Sequence, residues 1–200
     1  VSYDYILEQI AIAEGSPAAK AEFLCKHCNI KQNSSLAWLP IKAVEDISGE
    51  PIDIESLRGS YAVCGLDLSQ TTDLSAAIVV VEKEGRLNVI AHFWLPSEKI
   101  QEATDRDGVP YNIYIQKGFL SESGDNYIDY HDVYQWFVDL IEKYEIYPLQ
   151  TGYDRYSATY LVQDMRNYGF HMDDVYQGDN LWGVLQEMEG LIKDRKINIG

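Results

Sequence analysis

Between Tyr61 and Leu95 three strand-length apolar runs follow one another with only turn residues between them, a spacing that calls for an antiparallel meander. The first run, Tyr61 to Leu68, reads as a buried strand that ends in a carboxylate, Asp67. Ser75 to Glu82 supplies the second strand and Arg86 to Leu95 the third. Glu84-Gly85 joins these two, with glycine where a two-residue hairpin turn wants a positive φ. Past Pro96 the pattern changes. Ser97 to Asp105 reads as a short helix, and 108–128 as a loop-rich insertion with small strands. Tyr130 to Tyr144 then carries Val133, Trp136, Phe137, Leu140 and Ile141 on one helical face. A short strand, Leu149 to Asp154, again closes on an aspartate. Helix 157–168, stopped by Gly169, a strand near His171 to Tyr176, and a helix from about Leu181 to Asp194 complete the chain.

Written as elements, the order is β-β-β-α-β-α-β-α. That order is the signature of a ribonuclease-H-like α/β fold, a mixed sheet of three antiparallel strands extended by parallel ones and flanked by helices. Ahead of it, Ile6, Ile10, Ile12, Phe23 and Leu24 recur at helical spacing between about Tyr3 and Asn29. Gly15-Ser16-Pro17 divides this stretch into two helices, with Ser16 as N-cap and Pro17 at the first helical position. Residues 30–59, with Pro40 and Pro51 and mixed charge, read as irregular. The expected division is therefore a helical lead-in and linker over 1–59 and a ribonuclease-H-like domain over 60–200. Its 200 residues are 46% hydrophobic, with 15 Tyr and 4 Trp, enough to pack one core.

Several classes are excluded. No apolar run approaches the roughly 18 residues of a membrane span. The start, Val1-Ser2-Tyr3-Asp4, has neither the basic residues nor the apolar run of a signal peptide, and reads as the edge of a fragment. An intracellular, soluble domain is the expectation. Three cysteines, Cys25, Cys28 and Cys64, cannot build a disulfide framework. Cys25-Lys26-His27-Cys28 resembles half a zinc site, but a structural zinc needs four ligands and no second cluster follows. The remaining histidines, His92, His131 and His171, do not cluster either. With 32 acidic against 16 basic residues the net charge is −16, the wrong sign for a chain that coats DNA. Any nucleic-acid role must then be local, metal-assisted or shared with another domain.

The chemistry is expected at Asp67 and Asp154. Each ends a short strand, and in the expected sheet these two strands lie parallel and adjacent. Their carboxylates would then face each other about one strand spacing apart, roughly 5 Å. Two carboxylates that close repel each other, and a divalent cation removes the conflict. Mg²⁺ takes one or two carboxylates, keeps several waters and accepts phosphate oxygens, the set used in two-metal phosphodiester hydrolysis. Asp73, in the turn after the first strand, can reach a metal through water or stabilise its own turn. Arg155 can meet a phosphate or pair with an acid.

The segments around these residues resemble a known family. Gly65-Leu66-Asp67-Leu68-Ser69 with Thr72-Asp73-Leu74, Phe93-Trp94-Leu95-Pro96, Val109-Pro110-Tyr111, Lys117-Gly118, Gly152-Tyr153-Asp154-Arg155-Tyr156 and Gln177-Gly178 are similar to the nuclease domain of tailed-phage terminase large subunits of the HK97-like group. Glu22-Phe23 and Asn29-Ile30 resemble the stretch that leaves that family's ATPase domain. The resemblance implies a metal-dependent endonuclease that cuts concatemeric double-stranded viral DNA, with Asp67 and Asp154 as ligands for Mg²⁺ or Mn²⁺. It further implies an ATPase domain in the same polypeptide, a terminase small subunit and portal protein as partners, and the cytoplasm of a bacterial host. No Gly-x-x-x-x-Gly-Lys-Ser/Thr loop occurs, so the ATPase motifs do not carry over. The family places a third acidic ligand beyond a segment that begins like Lys196-Ile197-Asn198-Ile199-Gly200. The two-metal site is therefore expected to be incomplete, with Glu187 and Asp194 read as solvated helix charges.

Two other readings are weighed. A docking or regulatory module with this fold and no turnover fits the acidic surface. Gly65-Leu66-Asp67-Leu68-Ser69-Gln70-Thr71-Thr72 is also similar to the phosphate turn of sugar kinases and actin-like ATPases. There, however, Ser69 occupies a position that needs glycine.

Overall fold

The computed structural model describes residues 3–14, 17–28, 39, 41–48, 51–69, 73–154, 159–176, 178 and 181–200. The chain divides into two compact units, Val1–Val44 and Glu45–Gly200. In the first, α1 (Tyr3–Glu14) and α2 (Pro17–Cys28) pack on each other, as the break at Gly15-Ser16-Pro17 predicts. The His27 ring lies 5.1 Å from Phe23 and 5.8 Å from Tyr5, centroid to centroid. Ser16 is outside the described residues. A third helix, α3 (Ile41–Ile47), forms inside the stretch read as irregular.

The second unit begins at Glu45 rather than at residue 60, because the intervening chain is tied to the sheet. Leu57 is 2% exposed within the core, and Ile52 and Ile54 pack against it. The Gly59 N–H donates to the Glu145 carbonyl at 2.9 Å, and Ser48 bridges to Ile199. The only regular piece between Pro51 and Ser60 is a 3₁₀ turn, Ile54–Leu57, capped by Asp53. Four residues are too few to show a period.

The meander forms as expected: β1 (Tyr61–Asp67), β2 (Ser75–Lys83) and β3 (Arg86–Leu95) run antiparallel in sequence. Lys83 pairs with Arg86, leaving Glu84 (φ 54°) and Gly85 (φ 75°) as a two-residue turn with both φ positive. After β3 come α4 (Ile100–Asp107), α5 (Tyr111–Gln116) and β4 (Leu120–Glu122). Where small strands were expected, α5 is a helix of six residues. Then follow α6 (Tyr130–Glu142), β5 (Tyr147–Asp154), α7 (Thr159–Tyr168), β6 (Met172–Val175), α8 (Leu181–Lys193) and β7 (Ile197–Ile199). The sheet order is β4-β3-β2-β1-β5-β6, with β5 parallel to β1 and β6 parallel to β5. Three antiparallel strands are thus extended by parallel ones, the ribonuclease-H-like arrangement. β4 is a small strand of the kind expected within 108–128, whereas β7 was not foreseen; the two run parallel to opposite ends of β3 and are three residues each.

One face of this sheet carries the core. Ala62, Cys64 and Leu66 of β1 and Ala77, Val79 and Val81 of β2 are buried against Val133, Phe137 and Leu140 of α6 and Leu161, Val162 and Met165 of α7. The spacing of the α6 residues puts them on one stripe, and the Asp129 carboxylate caps the helix by accepting from the His131 N–H at 2.9 Å. A second cluster, Leu95, Ile100, Ala103, Tyr111 and Leu120, holds α4, α5 and β4 at the far edge. His92 bridges that edge to α6. Its Nε2 is 2.9 Å from Ser121 Oγ and its ring stacks on Trp136, and burial holds its pKa below the ordinary histidine value.

Candidate functional site

The alternation along β1 turns Val63, Gly65 and Asp67 to the face opposite the core. On β5 the residues sharing that face are Gln150, Gly152 and Asp154, and the pairing runs Val63–Gln150, Gly65–Gly152 and Leu66–Tyr153. Continued by one residue, that register sets Asp67 next to Asp154 at the carboxyl ends of their strands. This alignment depends on an irregularity. Tyr61 pairs with Tyr147 and Ala62 with Pro148, but Val63 pairs with Gln150, so Leu149 is an extra residue. Without that bulge Asp67 would align with Tyr153, whose side chain belongs to the other face.

Both aspartates line one groove of about 460 Å³ on the open face of the sheet. Asp67 is exposed and Asp154 half-buried. The cost of a buried charge therefore does not bear on Asp67; its position in the register singles it out. Ser75, fully buried, fixes the strand end beyond Asp67: its hydroxyl accepts from the Ser69 N–H and donates to the Ser69 carbonyl, each at 3.0 Å. The groove floor is glycine, and apolar side chains flank it. A Cβ on Gly65 would meet Ile78 Cγ1 at 3.1 Å, and one on Gly152 would meet Val175 Cγ2 at 2.9 Å.

The groove holds a third carboxylate that sequence reasoning missed. Asp173 pairs across from Gly152 on β6, and its Oδ2 accepts from Gln150 Nε2. Reading the strand 171–176 at a period of two would have placed Asp173 and Val175 on one face. Among the described residues no three Asp, Glu, His or Cys side chains are grouped to hold one ion, so Asp173 does not complete a cage with the pair. Cys64, behind the groove, is no nucleophile: burial pushes its thiol up to about 12, with a smaller opposing effect from Thr151.

Among the described residues, the other candidates lie outside the groove lining. Asp73 does not line the groove; its N–H donates to Ser69 Oγ at 3.3 Å. Arg155 lies outside the described residues, as do Thr71 and Thr72. Glu187 and Asp194 are exposed and away from the groove lining. Two basic residues near the end of the chain are engaged in ion pairs, Lys193 with Glu189 one turn away at 2.6 Å and Arg195 with the sequence-distant Asp46 at 3.2 Å. No described helix is long and apolar enough to cross a membrane.

Known proteins share this fold. The crystal structure of the HK97 bacteriophage large terminase superposes with a TM-score of 0.70 and 21% identity, covering 100% of this chain and 41% of that one, a likeness of fold. The large terminase subunit of Enterobacteria phage HK97 is 24% identical over 180 residues; the alignment covers 88% of this chain, which spans only 35% of that relative's length. The large terminase nuclease of thermophilic phage G20c with bound magnesium overlaps more loosely, with a TM-score of 0.43 and 9% identity over 70% of this chain and 58% of that one, too little to carry an argument. The family model of the terminase large subunit endonuclease domain matches residues 2–200. By that match over nearly its whole length, the chain belongs to the terminase large subunit endonuclease-domain family.

Proposed function

We propose that this chain is a divalent-metal-dependent DNA endonuclease in which Asp67 and Asp154 hold Mg²⁺ or Mn²⁺, and that it cuts concatemeric double-stranded viral DNA during packaging. The observation that carries the reading is the register of β1 and β5, which brings both carboxylates to the same end of one groove. The donor set fits a hydrated ion. Two carboxylates on one open face leave the remaining coordination positions to water and to phosphate oxygens. When bound there, a divalent ion activates water and neutralises charge on the phosphate being cut.

The chain's own residues set the geometry. Asp67 and Asp154 gather negative charge at the groove end, and the Ser75–Ser69 hydrogen bonds hold the β1 terminus in place. With no third described Asp, Glu, His or Cys grouped with the pair to hold an ion, it suits one ion. Asp73 through a water, and Arg155 toward a phosphate, are secondary candidates in this reading. The partners that go with it are duplex DNA, an ATPase domain in the same polypeptide, a small terminase subunit and the portal, in the cytoplasm of a bacterial host. A docking module without turnover is the second reading, favoured by the net charge of −16.

DNA binding separates the two. With that charge, affinity for duplex DNA is expected to be weak, to fall steeply as salt rises, and to improve when Mg²⁺ or Mn²⁺ is added. Slow nicking of plasmid should accompany it, faster with Mn²⁺ than with Mg²⁺, since Mn²⁺ tolerates a less regular site. Tight metal-free binding at physiological salt would contradict the proposal. A docking module would show neither nicking nor a carboxylate-dependent Mn²⁺ site.

A further inference from the structure

The open groove has more structure than a carboxylate pair requires. Gly65 and Gly152 are register partners on adjacent strands, two residues before Asp67 and Asp154 on the same face. Two side chains flank this Cβ-free floor: Ile78, paired with Gly65 across β2, and Val175, paired with Asp154 across β6. Both are apolar and exposed, at 40% and 39%, and both line the same groove as the aspartates. Contact with Ile78 and Val175 crowds out a Cβ at either glycine, but it does not explain why the large side chains stand at 78 and 175. These residues face away from the core cluster, and larger residues at 65 and 152 with smaller ones at 78 and 175 would fill the same space.

We propose that Ile78 and Val175, with the glycine floor between them, seat the strand of DNA that is cut, and so act as positioning residues for the carboxylate pair. This rests on the reading of Asp67 and Asp154 as ion-holding residues. A phosphate can be delivered to the pair only if the sugar–phosphate backbone approaches the sheet closely, which a glycine floor permits and any Cβ obstructs. The occupant is assigned from the groove's continuity with the pair and from its lining. Apolar walls suit the C–H faces of deoxyribose. Two other polar side chains of the lining, Gln150 and Asp173, are hydrogen-bonded to each other. A single strand fits because the walls stand on β2 and β6, with only β1 and β5 between them, about three strand spacings of roughly 4.8 Å and narrower than a duplex once side chains are counted.

The test uses the 200-residue chain, plasmid DNA and Mn²⁺, with Mn²⁺ affinity measured separately by calorimetry. Gly65→Ala is expected to slow nicking by roughly tenfold or more, as displacements of about 1 Å do, while Mn²⁺ affinity stays within about twofold. Gly65→Ala combined with Ile78→Ala removes the atoms that a new Cβ would meet, and is expected to remain slow. Ile78→Ala and Val175→Ala, both at exposed positions, are expected to raise the KM for DNA severalfold with a smaller change in kcat, and they decide the matter should Gly65→Ala not fold. Recovery of the wild-type rate in the double variant would show that the glycine serves packing only and would overturn the proposal. So would an unchanged KM in both wall variants. If the wild-type chain shows no Mn²⁺ binding that depends on Asp67, the underlying reading fails and the seat fails with it.

Discussion

Replacing Asp67 or Asp154 with alanine is expected to remove Mn²⁺-supported nicking of plasmid DNA and to leave the protein folded. The two aspartates end neighbouring parallel strands, one residue past the paired Leu66 and Tyr153, and share one groove, so each is half of the same proposed ion site. Losing one removes a charged ligand that a single water cannot replace. Such a site is worth several kcal/mol of transition-state stabilisation, so the rate should fall by roughly a hundredfold or more. The fold should not follow. Asp67 is exposed, and a surface substitution of this kind changes stability by about 0.5 kcal/mol or less. Asp67→Asn and Asp154→Asn, which keep the side-chain shape, should lose activity to a similar extent. Full activity surviving Asp67→Ala would refute the mechanism.

The opposite separation is expected at Phe137. Its ring is fully buried on the covered face of the sheet, 5.1 Å from Trp136 and 6.0 Å from Phe170 between centroids. Truncation to alanine removes most of an aromatic side chain and leaves a cavity that α6 and α7 cannot close, a loss of about 3–5 kcal/mol. For a chain of this length that lowers the melting temperature by roughly 6–20 °C. Phe137 lies behind β1, on the side of Ala62, Cys64 and Leu66, whereas Asp67 and Gly65 face the groove. Below its melting point the Phe137→Ala protein should therefore bind Mn²⁺ like the wild type. A melting temperature unchanged within a degree or two would mean that α6 does not anchor this core.

These contrasts also show how far the sequence alone reaches. Val133, Phe137 and Leu140 are legible because a helix of thirteen residues repeats its apolar period several times. The meander is legible because three apolar runs of seven residues or more follow one another and the Glu84-Gly85 turn fixes the hairpin. Asp67 and Asp154 are legible as strand-end acids, but their alignment is not. It depends on the bulge at Leu149, which leaves no mark in composition and moves Asp154, rather than Tyr153, opposite Asp67. β7 was missed because its pairing with β3, not its own pattern, stabilises it, and the six-residue α5 because so short a helix shows little of its period. The attachment of Leu57 to the core is hidden for the same reason: a single buried leucine in an acidic, proline-containing stretch has no periodic neighbours. Ile78, Gly152, Asp173 and Val175 are ordinary residues in sequence and become a groove only when four strands are laid side by side.

The central claim is that the register-paired aspartates hold a divalent ion. Its most direct test is a crystal of the protein grown with Mn²⁺ and measured for anomalous scattering. The account predicts a peak at the end of the groove between Asp67 and Asp154, with oxygens of both carboxylates at about 2.1 Å. A peak found only elsewhere, or carboxylate oxygens more than roughly 8 Å apart, twice the spacing of a two-metal centre, would contradict it.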